Sequence, residues 1–451
     1  MVEKIEQEDI ENVYDISAMF DEEEKTHKIT ALGSVDIDKC ISTNILSLDL
    51  ILGGGLESGK WYEVCGVESS GKTTMAYAAV GSAITSIPNS LKGVIVDAEG
   101  VLDYTWFSNI IGIKDLDTVL GKRDENTGNW TIPPVVRHYK PDSGEVALKF
   151  VKNILKRMPD KVLIGKSWYY MFVAKQTKSG KKQYEDLAPA KLKSRLQGKY
   201  HKKLFAKTGN FFVPIPNNYA GPEFLIVIDS MPALIPESVS DDDSAAMGPY
   251  ARLFSKYLND IKSLMSKKGV ITIGVNQGRE RPLAFGDPFY TPCGNVLKHV
   301  VDVRLRKWAK STPAKYGGKQ IQIDGKDEYR WCKAKTIKNK LFIPHQEVEF
   351  RWWTGHKGKS GYGLDPVMDV YTYLEMTGQL EITSKGFKVN FPITKNTIFT
   401  MKTFKAFVLT KALKQKGKIV KYDLRKKCQR QIASGKSKEL YLKAKEEASQ
   451  E

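Results

Sequence analysis

The chain has 451 residues, 41% of them apolar and 27% charged, with a formal net charge of +18. That is enough apolar mass for one large or two to three ordinary soluble domains, and no apolar run is long enough to span a bilayer. The opening "MVEKIEQEDIENVYD" is acidic where a secretory leader would be basic and then apolar, and five scattered cysteines without a C-x-x-C pair and six histidines without ligand spacing argue against disulfides or a zinc site, so a cytoplasmic protein that does not engage a membrane is expected.

In chain order, residues 1–30 read as one acidic helix, with ten acidic and two basic side chains in residues 1–25, and "KITALGS" follows as a short strand or linker. A core begins near Ile41. From there the apolar runs "WYEVCG", "GVIVDAEG", "FLIVIDS", "GVITIGVNQ" and "VVDVRLRKW" alternate with amphipathic stretches, which predicts an α/β fold with a mostly parallel sheet flanked by helices. The expected division is an N-terminal segment 1–40, a core 41–345 and a smaller C-terminal domain 346–451. A segment at 158–222 interrupts the core with thirteen basic and three acidic side chains, interleaved with Trp168, Tyr169, Tyr170 and Phe172. Such a composition suits a surface that tracks a phosphate backbone and stacks bases, or equally an insertion that packs its aromatics inward; its length predicts a subdomain rather than a loop. Residues 385–451 hold eighteen basic and five acidic side chains, the pattern of a nucleic-acid-binding end or of a solvated helix face.

The stretch "YEVCGVESSGKTTMA" carries the first chemistry. Gly66 and Gly71 bracket four residues and are followed by Lys72 and Thr73, matching the phosphate-loop pattern G-x-x-x-x-G-K-[ST] between a predicted strand and a predicted helix. Glycines let consecutive amides approach a phosphate chain, and the helix adds its positive end to the same anion. Lys72 neutralises phosphate oxygens and Thr73 offers a hydroxyl to Mg²⁺, while Glu68, Ser69, Ser70 and Thr74 complete the loop and its exit as expected nucleotide contacts. Further strands end in polar groups: Asp97 and Glu99 after "GVIV", Asp229 after "FLIVI", Asn276 and Gln277 after "GVITIGV". Asp229 can hold the water shell of a nucleotide-bound Mg²⁺, a carboxylate of the Asp97 and Glu99 pair can activate water, and an amide of the Asn276 and Gln277 pair can sense a γ-phosphate. Ligands are expected at that edge, the carboxyl ends of a parallel sheet.

With these in order, the chain resembles the bacterial and phage RecA recombinases. The resemblance is carried by "ISTNILSLDLILGGGLESGKWYEVCGVESSGKTT", "VDAEGVLD", "PDSGEVAL", "VIDSMPALIP", "MGPYARLFS", "NQGRERPLAFGDP", "CGNVLKHVVDVRLR" and "KTIKNKLFIP", over most of 41–380 apart from 158–222 and a lesser insertion near 309–330. It implies a RecA-type P-loop ATPase core with ATP and Mg²⁺ as cofactors. Lys72, Thr73 and Asp229 would hold them, Glu99 would act on water and Gln277 would couple the γ-phosphate to DNA. Asp103 would contact adenine, with Trp106 stacking on it where relatives carry a tyrosine. Lys338 and Lys340 would reach the nucleotide of a neighbouring subunit. Two segments resemble DNA-binding loops: Pro236 to Gly248, with Met247, Gly248 and the following Arg252, and Gly278 to Gly294, with Arg279, Phe285, Gly294 and the adjoining Asn295.

The resemblance further implies DNA-dependent ATP hydrolysis, filaments of this chain on single-stranded DNA, pairing with homologous double-stranded DNA, residues 1–40 as an oligomerisation segment, and a single-strand-binding protein and a loader as further partners. Asp241 to Asp243 would form a solvent-facing turn. A basic end replaces the acidic tail of bacterial relatives, which points to a bacteriophage type. A hexameric helicase of the same core fold and a non-catalytic recombination mediator are the alternative readings; unwinding without homologous pairing would mark the first, and the presence of Lys72, Thr73, Glu99 and Asp229 disfavours the second.

Overall fold

The computed structural model describes residues 39–164, 166–172, 175–176, 182–183, 211–239, 247–280, 289–310, 322–323, 326–327, 329–354, 362–394, 397–415 and 418–450. The acidic segment 1–30, most of the basic stretch between 173 and 210, the run Asp241 to Asp243, Phe285 and residues 311–321 lie outside them.

The central sheet has nine strands: β1 (Trp61–Gly66), β2 (Gly93–Asp97), β3 (Val136–Tyr139), β4 (Phe224–Asp229), β5 (Val270–Gln277), β6 (Val303–Lys310), β7 (Tyr329–Asn339), β8 (Glu347–Thr354) and β9 (Tyr362–Leu364). Their order is β9-β8-β7-β6-β1-β5-β4-β2-β3. Neighbours run parallel from β6 through β3 and antiparallel from β6 to β9. The helices that concern the site are α1 (Leu46–Leu52), α2 (Lys72–Ser86), α3 (Tyr104–Ile111), α4 (Gly144–Arg157), α5 (Met247–Lys268), α6 (Gly294–Val300), α7 (Pro366–Met376), α8 (Met401–Thr410), α9 (Leu424–Ala433) and α10 (Lys436–Gln450).

Parallel strands covered on both faces need apolar residues at every position, and β4, "FLIVID", is buried throughout. Its alternation divides two cores: Leu225 and Val227 pack with Met75, Ala76 and Phe107 of α2 and α3, whereas Ile226 and Ile228 pack with Leu148 of α4 and Phe254 and Ile261 of α5. The sheet continues past residue 345, the boundary expected from sequence for the C-terminal domain. "EVEFRWWT" pairs with β7 and buries Val348, Phe350 and Trp352, so its alternation belongs to the sheet. Among the described residues no helix is long and apolar enough to cross a membrane.

A second compact unit includes Pro159–Ala220. Its strands Asp160–Ile164, Ser167–Phe172 and Phe211–Pro214 form a three-stranded antiparallel sheet. Trp168, Tyr169, Tyr170 and Phe172 are half-buried there, and the Lys161 ammonium lies 4.8 Å from the Tyr219 ring and 5.6 Å from that of Trp168.

The entry to the core is held by two buried carboxylates. Asp49 on α1 accepts from the Thr43 amide at 2.7 Å, the Thr43 hydroxyl at 2.6 Å and the Ser42 hydroxyl at 2.5 Å. Asp369 on α7 accepts from the Leu46 amide at 3.1 Å and from Arg425 of α9 at 2.8 Å. Burial, with Asp369 adding, pushes the Asp49 carboxyl up to about 7. The unfolded chain releases this proton near the ordinary aspartate value, while the folded chain keeps it to about 7, so the group favours folding at low pH and loses that contribution as pH rises through this window. Asp49→Asn keeps an acceptor for Thr43 and removes the titration. Its stability relative to the parent is expected to climb by about 2 to 3 kcal/mol between pH 5 and 8. Urea unfolding at both pH values checks this; a constant difference would show that Asp49 is ionised throughout.

Candidate nucleotide-binding site

β1 ends in the middle of the sheet, between β6 and β5, and the phosphate loop leaves from that point. Gly71 takes φ +80° as the residue before α2, a conformation that favours glycine. No side chain caps α2 and its first turn holds no acidic residue, so its free amides and positive end are open to an anion. Lys72 turns back to donate to the Val67 carbonyl at 2.8 Å. Burial lowers its proton affinity, opposed by Asp229 and reinforced by Lys307. Glu68 and Ser69 are exposed on the loop, Ser70 is buried with its hydroxyl unpartnered, Thr73 is half-buried and Thr74 buried.

The carboxylates converge on the same edge. Asp229 and Asp97 are register partners at the ends of β4 and β2. Burial raises Asp229 to about 6, a hydrogen bond from Thr73 opposes the shift, and the charges of Glu99 and Asp97 add to it. Asp97 is spent on structure: its oxygens accept from the amides of Gly100 at 2.8 Å and Leu102 at 3.1 Å, and from His138 at 3.0 Å. This pins the loop that carries Glu99, whose exposed side chain accepts from the Ser230 hydroxyl at 2.5 Å. Ser230 was not singled out from sequence, although it directly follows Asp229 in "FLIVIDS". Asp103 accepts from the Trp106 amide at 2.8 Å as the N-cap of α3, and Trp106 is half-buried against the core.

Gln277, the last residue of β5, is the register partner of Gly66, and the next amide, Gly278, donates to the Gly66 carbonyl at 2.8 Å. Beyond it Arg279 is exposed and pairs with Tyr290. Gly294 and the exposed Asn295 open α6. Met247 and Gly248 begin α5, and Arg252 stands exposed one turn on. The structure does not bring Lys338 and Lys340 to this chain's phosphate loop. Lys338 is level with Arg304 and hence with Glu63, three residues before Gly66. Its ammonium donates to the Lys298 carbonyl at 2.6 Å and that of Val301 at 2.8 Å at the end of α6, while Lys340 reaches His299 at 3.5 Å. Burial and the Lys340 charge lower Lys338 to about 8.

No three His, Cys, Asp or Glu among the described residues could enclose a metal by themselves. One hydroxyl, Thr73, and one buried carboxylate, Asp229, fit an ion that arrives on a nucleotide and keeps most of its water. Fold and loop together define a P-loop α/β protein. A family model described as the RecA N-terminal domain matches residues 11–167 and 219–357. Similar proteins include Protein RecA of Thermus aquaticus, 28% identical over 77% of this chain and 74% of that one. Those of Synechocystis sp. and Deinococcus radiodurans are 27% and 26% identical over 69% and 71% of this chain, and 62% and 64% of theirs. The chain belongs to the RecA family.

The Gly278 junction can be tested directly. A Cβ at Gly278 would stand 2.1 Å from the Phe289 ring, itself 4.0 Å from the Arg306 guanidinium. Gly278→Ala should cost about 1 to 3 kcal/mol of stability. Adding Phe289→Ala should recover most of it in urea unfolding; no recovery would mean that this contact is not what constrains the position.

Proposed function

We propose that the protein is an ATP-hydrolysing recombinase, of the bacteriophage type, that assembles as a helical filament on single-stranded DNA in the cytoplasm. It pairs that strand with homologous double-stranded DNA and exchanges strands, in recombination, repair and recombination-dependent replication. The observation that carries this reading is the junction at Gly66, where the phosphate loop and the start of the second candidate DNA loop share a hydrogen bond.

In this mechanism the loop amides and Lys72 hold the phosphates. Thr73 and Asp229 would hold Mg²⁺, which would supply charge neutralisation at the phosphoryl group. Glu99, steadied by Ser230, takes the proton of the attacking water. Gln277 contacts the γ-phosphate and passes its presence through Gly278 to Arg279, Phe285 and the residues up to Gly294 and Asn295. Asp103 and Trp106 hold the adenine. Met247, Gly248 and Arg252 form the other DNA contact. Lys338 and Lys340, remote from their own loop, act on the nucleotide of the adjoining subunit, onto which residues 1–40 dock. The basic segments 158–222 and 385–451 add phosphate contacts, and a single-strand-binding protein and a loader assist assembly.

Glu99→Gln should still bind ATP and DNA while hydrolysis falls by about a hundredfold or more; unchanged turnover would remove Glu99 from the mechanism. For the shared site, subunits carrying Lys338→Ala and Lys340→Ala are mixed with Lys72→Ala subunits. Each defect then lies on a different side of the junction, so co-assembled filaments should regain ATPase activity. Filaments shown to be mixed yet inactive at every ratio would place both lysines outside the site.

A further inference from the structure

On β6 the side chains alternate between buried Val303, Leu305 and Lys307 and half-buried Arg304, Arg306 and Trp308. Lys307 thus occupies a position whose pattern calls for an aliphatic residue, and it is wholly inaccessible. Among the described residues its ammonium has no carboxylate partner. It donates to the Ser70 carbonyl and lies 5.4 Å from the Phe350 ring. A buried charge compensated only by one carbonyl and a ring is costly, and removing it would ordinarily stabilise a fold.

The contact is made at an informative peptide. In a planar trans unit the carbonyl and the N–H point in opposite directions, so a donor that fixes the Ser70 oxygen also fixes the direction of the Gly71 N–H. Lys72 acts likewise on the Val67 carbonyl and hence on the Glu68 N–H. Two ammonium groups from different elements therefore orient two amides of one loop. The Lys307 ammonium also lies 2.8 Å from where a Cβ on Gly71 would be, and the buried Ser70 hydroxyl beside it has no partner.

We propose that Lys307 is a positioning residue for the nucleotide phosphates, turning the Gly71 N–H toward them and keeping beside the loop a positive charge that they neutralise. The inference rests on the nucleotide-binding reading above and adds a residue to it. The test is Lys307→Met, with calorimetric titration of ATP, ADP and AMP in Mg²⁺ at low and high salt, beside the melting temperature of the nucleotide-free protein. The variant should melt at the parent temperature or higher. Its ATP affinity should fall about tenfold or more, with smaller losses for ADP and smaller again for AMP. The loss should persist at high salt, since a buried charge is poorly screened. ATP affinity within twofold of the parent would overturn the proposal. So would equal losses for all three nucleotides, the mark of a merely structural role, or a nucleotide-free variant that fails to fold. If the parent itself does not bind ATP, the nucleotide reading falls and takes this inference with it.

Discussion

Every residue of β1 is buried, and one of them is a glutamate. A carboxylate enclosed by neighbouring strands has to find its partners within the sheet, and Glu63 finds them on both sides: Asn276 of β5 donates at 2.7 Å, and Arg304 of β6 forms an ion pair with it. Arg304 in turn donates to Thr291 at 2.9 Å, at the far end of the second candidate DNA loop. The neutralisation of one buried charge thus fixes the strand that launches the phosphate loop, the residue before Gln277 and the anchor beyond Tyr290. Removing Glu63 would take from the Asn276 amide and the Arg304 charge their shared partner inside the sheet, a heavier penalty than the loss of one bond.

The same economy separates the carboxylates at the site. Asp97, saturated by backbone amides and His138, has little capacity left for a ligand and shapes the loop instead. Glu99, two residues on, is exposed and accepts from the Ser230 hydroxyl. The proposed hydrolysis needs the second kind of carboxylate and the loop geometry the first, and two positions of one turn supply both. Asp229 lies between these cases, buried enough for its proton to be held more tightly than usual yet linked to Thr73.

What was legible in the sequence follows from how far apart the interacting residues stand. The phosphate loop, the strand-end carboxylates and Gln277 are local patterns, each a strand followed at once by its polar residue, and the strands came with them. The roles of Lys307 and Glu63 were not legible, because their partners are some 240 positions away and only pairing of β6 with β1 brings them together. The alternation Val303, Leu305, Lys307 did carry a signal, since a lysine where a strand expects an aliphatic residue asks for a buried acceptor. Likewise "EVEFRWWT" alternates like a sheet strand, but the three-residue β9 that finishes the edge offers too few positions for a period to show. The resemblance assigns Lys338 and Lys340 to the nucleotide of a neighbouring subunit, a role that one folded chain, in which they lie at the end of α6, does not display.

Charge balance at the sheet edge bears on how the nucleotide arrives. Buried Glu63, Asp97 and Asp229 are matched in number by buried Lys72 and Lys307 and half-buried Arg304, with Glu99 exposed, although among the described residues Lys307 has no carboxylate as a partner. The overall charge of +18 is therefore not stored here. On the proposed reading a triphosphate arriving alone would add four negative charges next to Asp229 and Glu99, whose repulsion at close range in a partly dry site amounts to several kcal/mol. A divalent ion carried on the phosphates removes most of that cost, whereas a further lysine in the loop would bring desolvation of its own. The excess positive charge of the chain is left for its surface, where on the proposed reading it can act on a polyanion without perturbing the carboxylates assigned to hydrolysis.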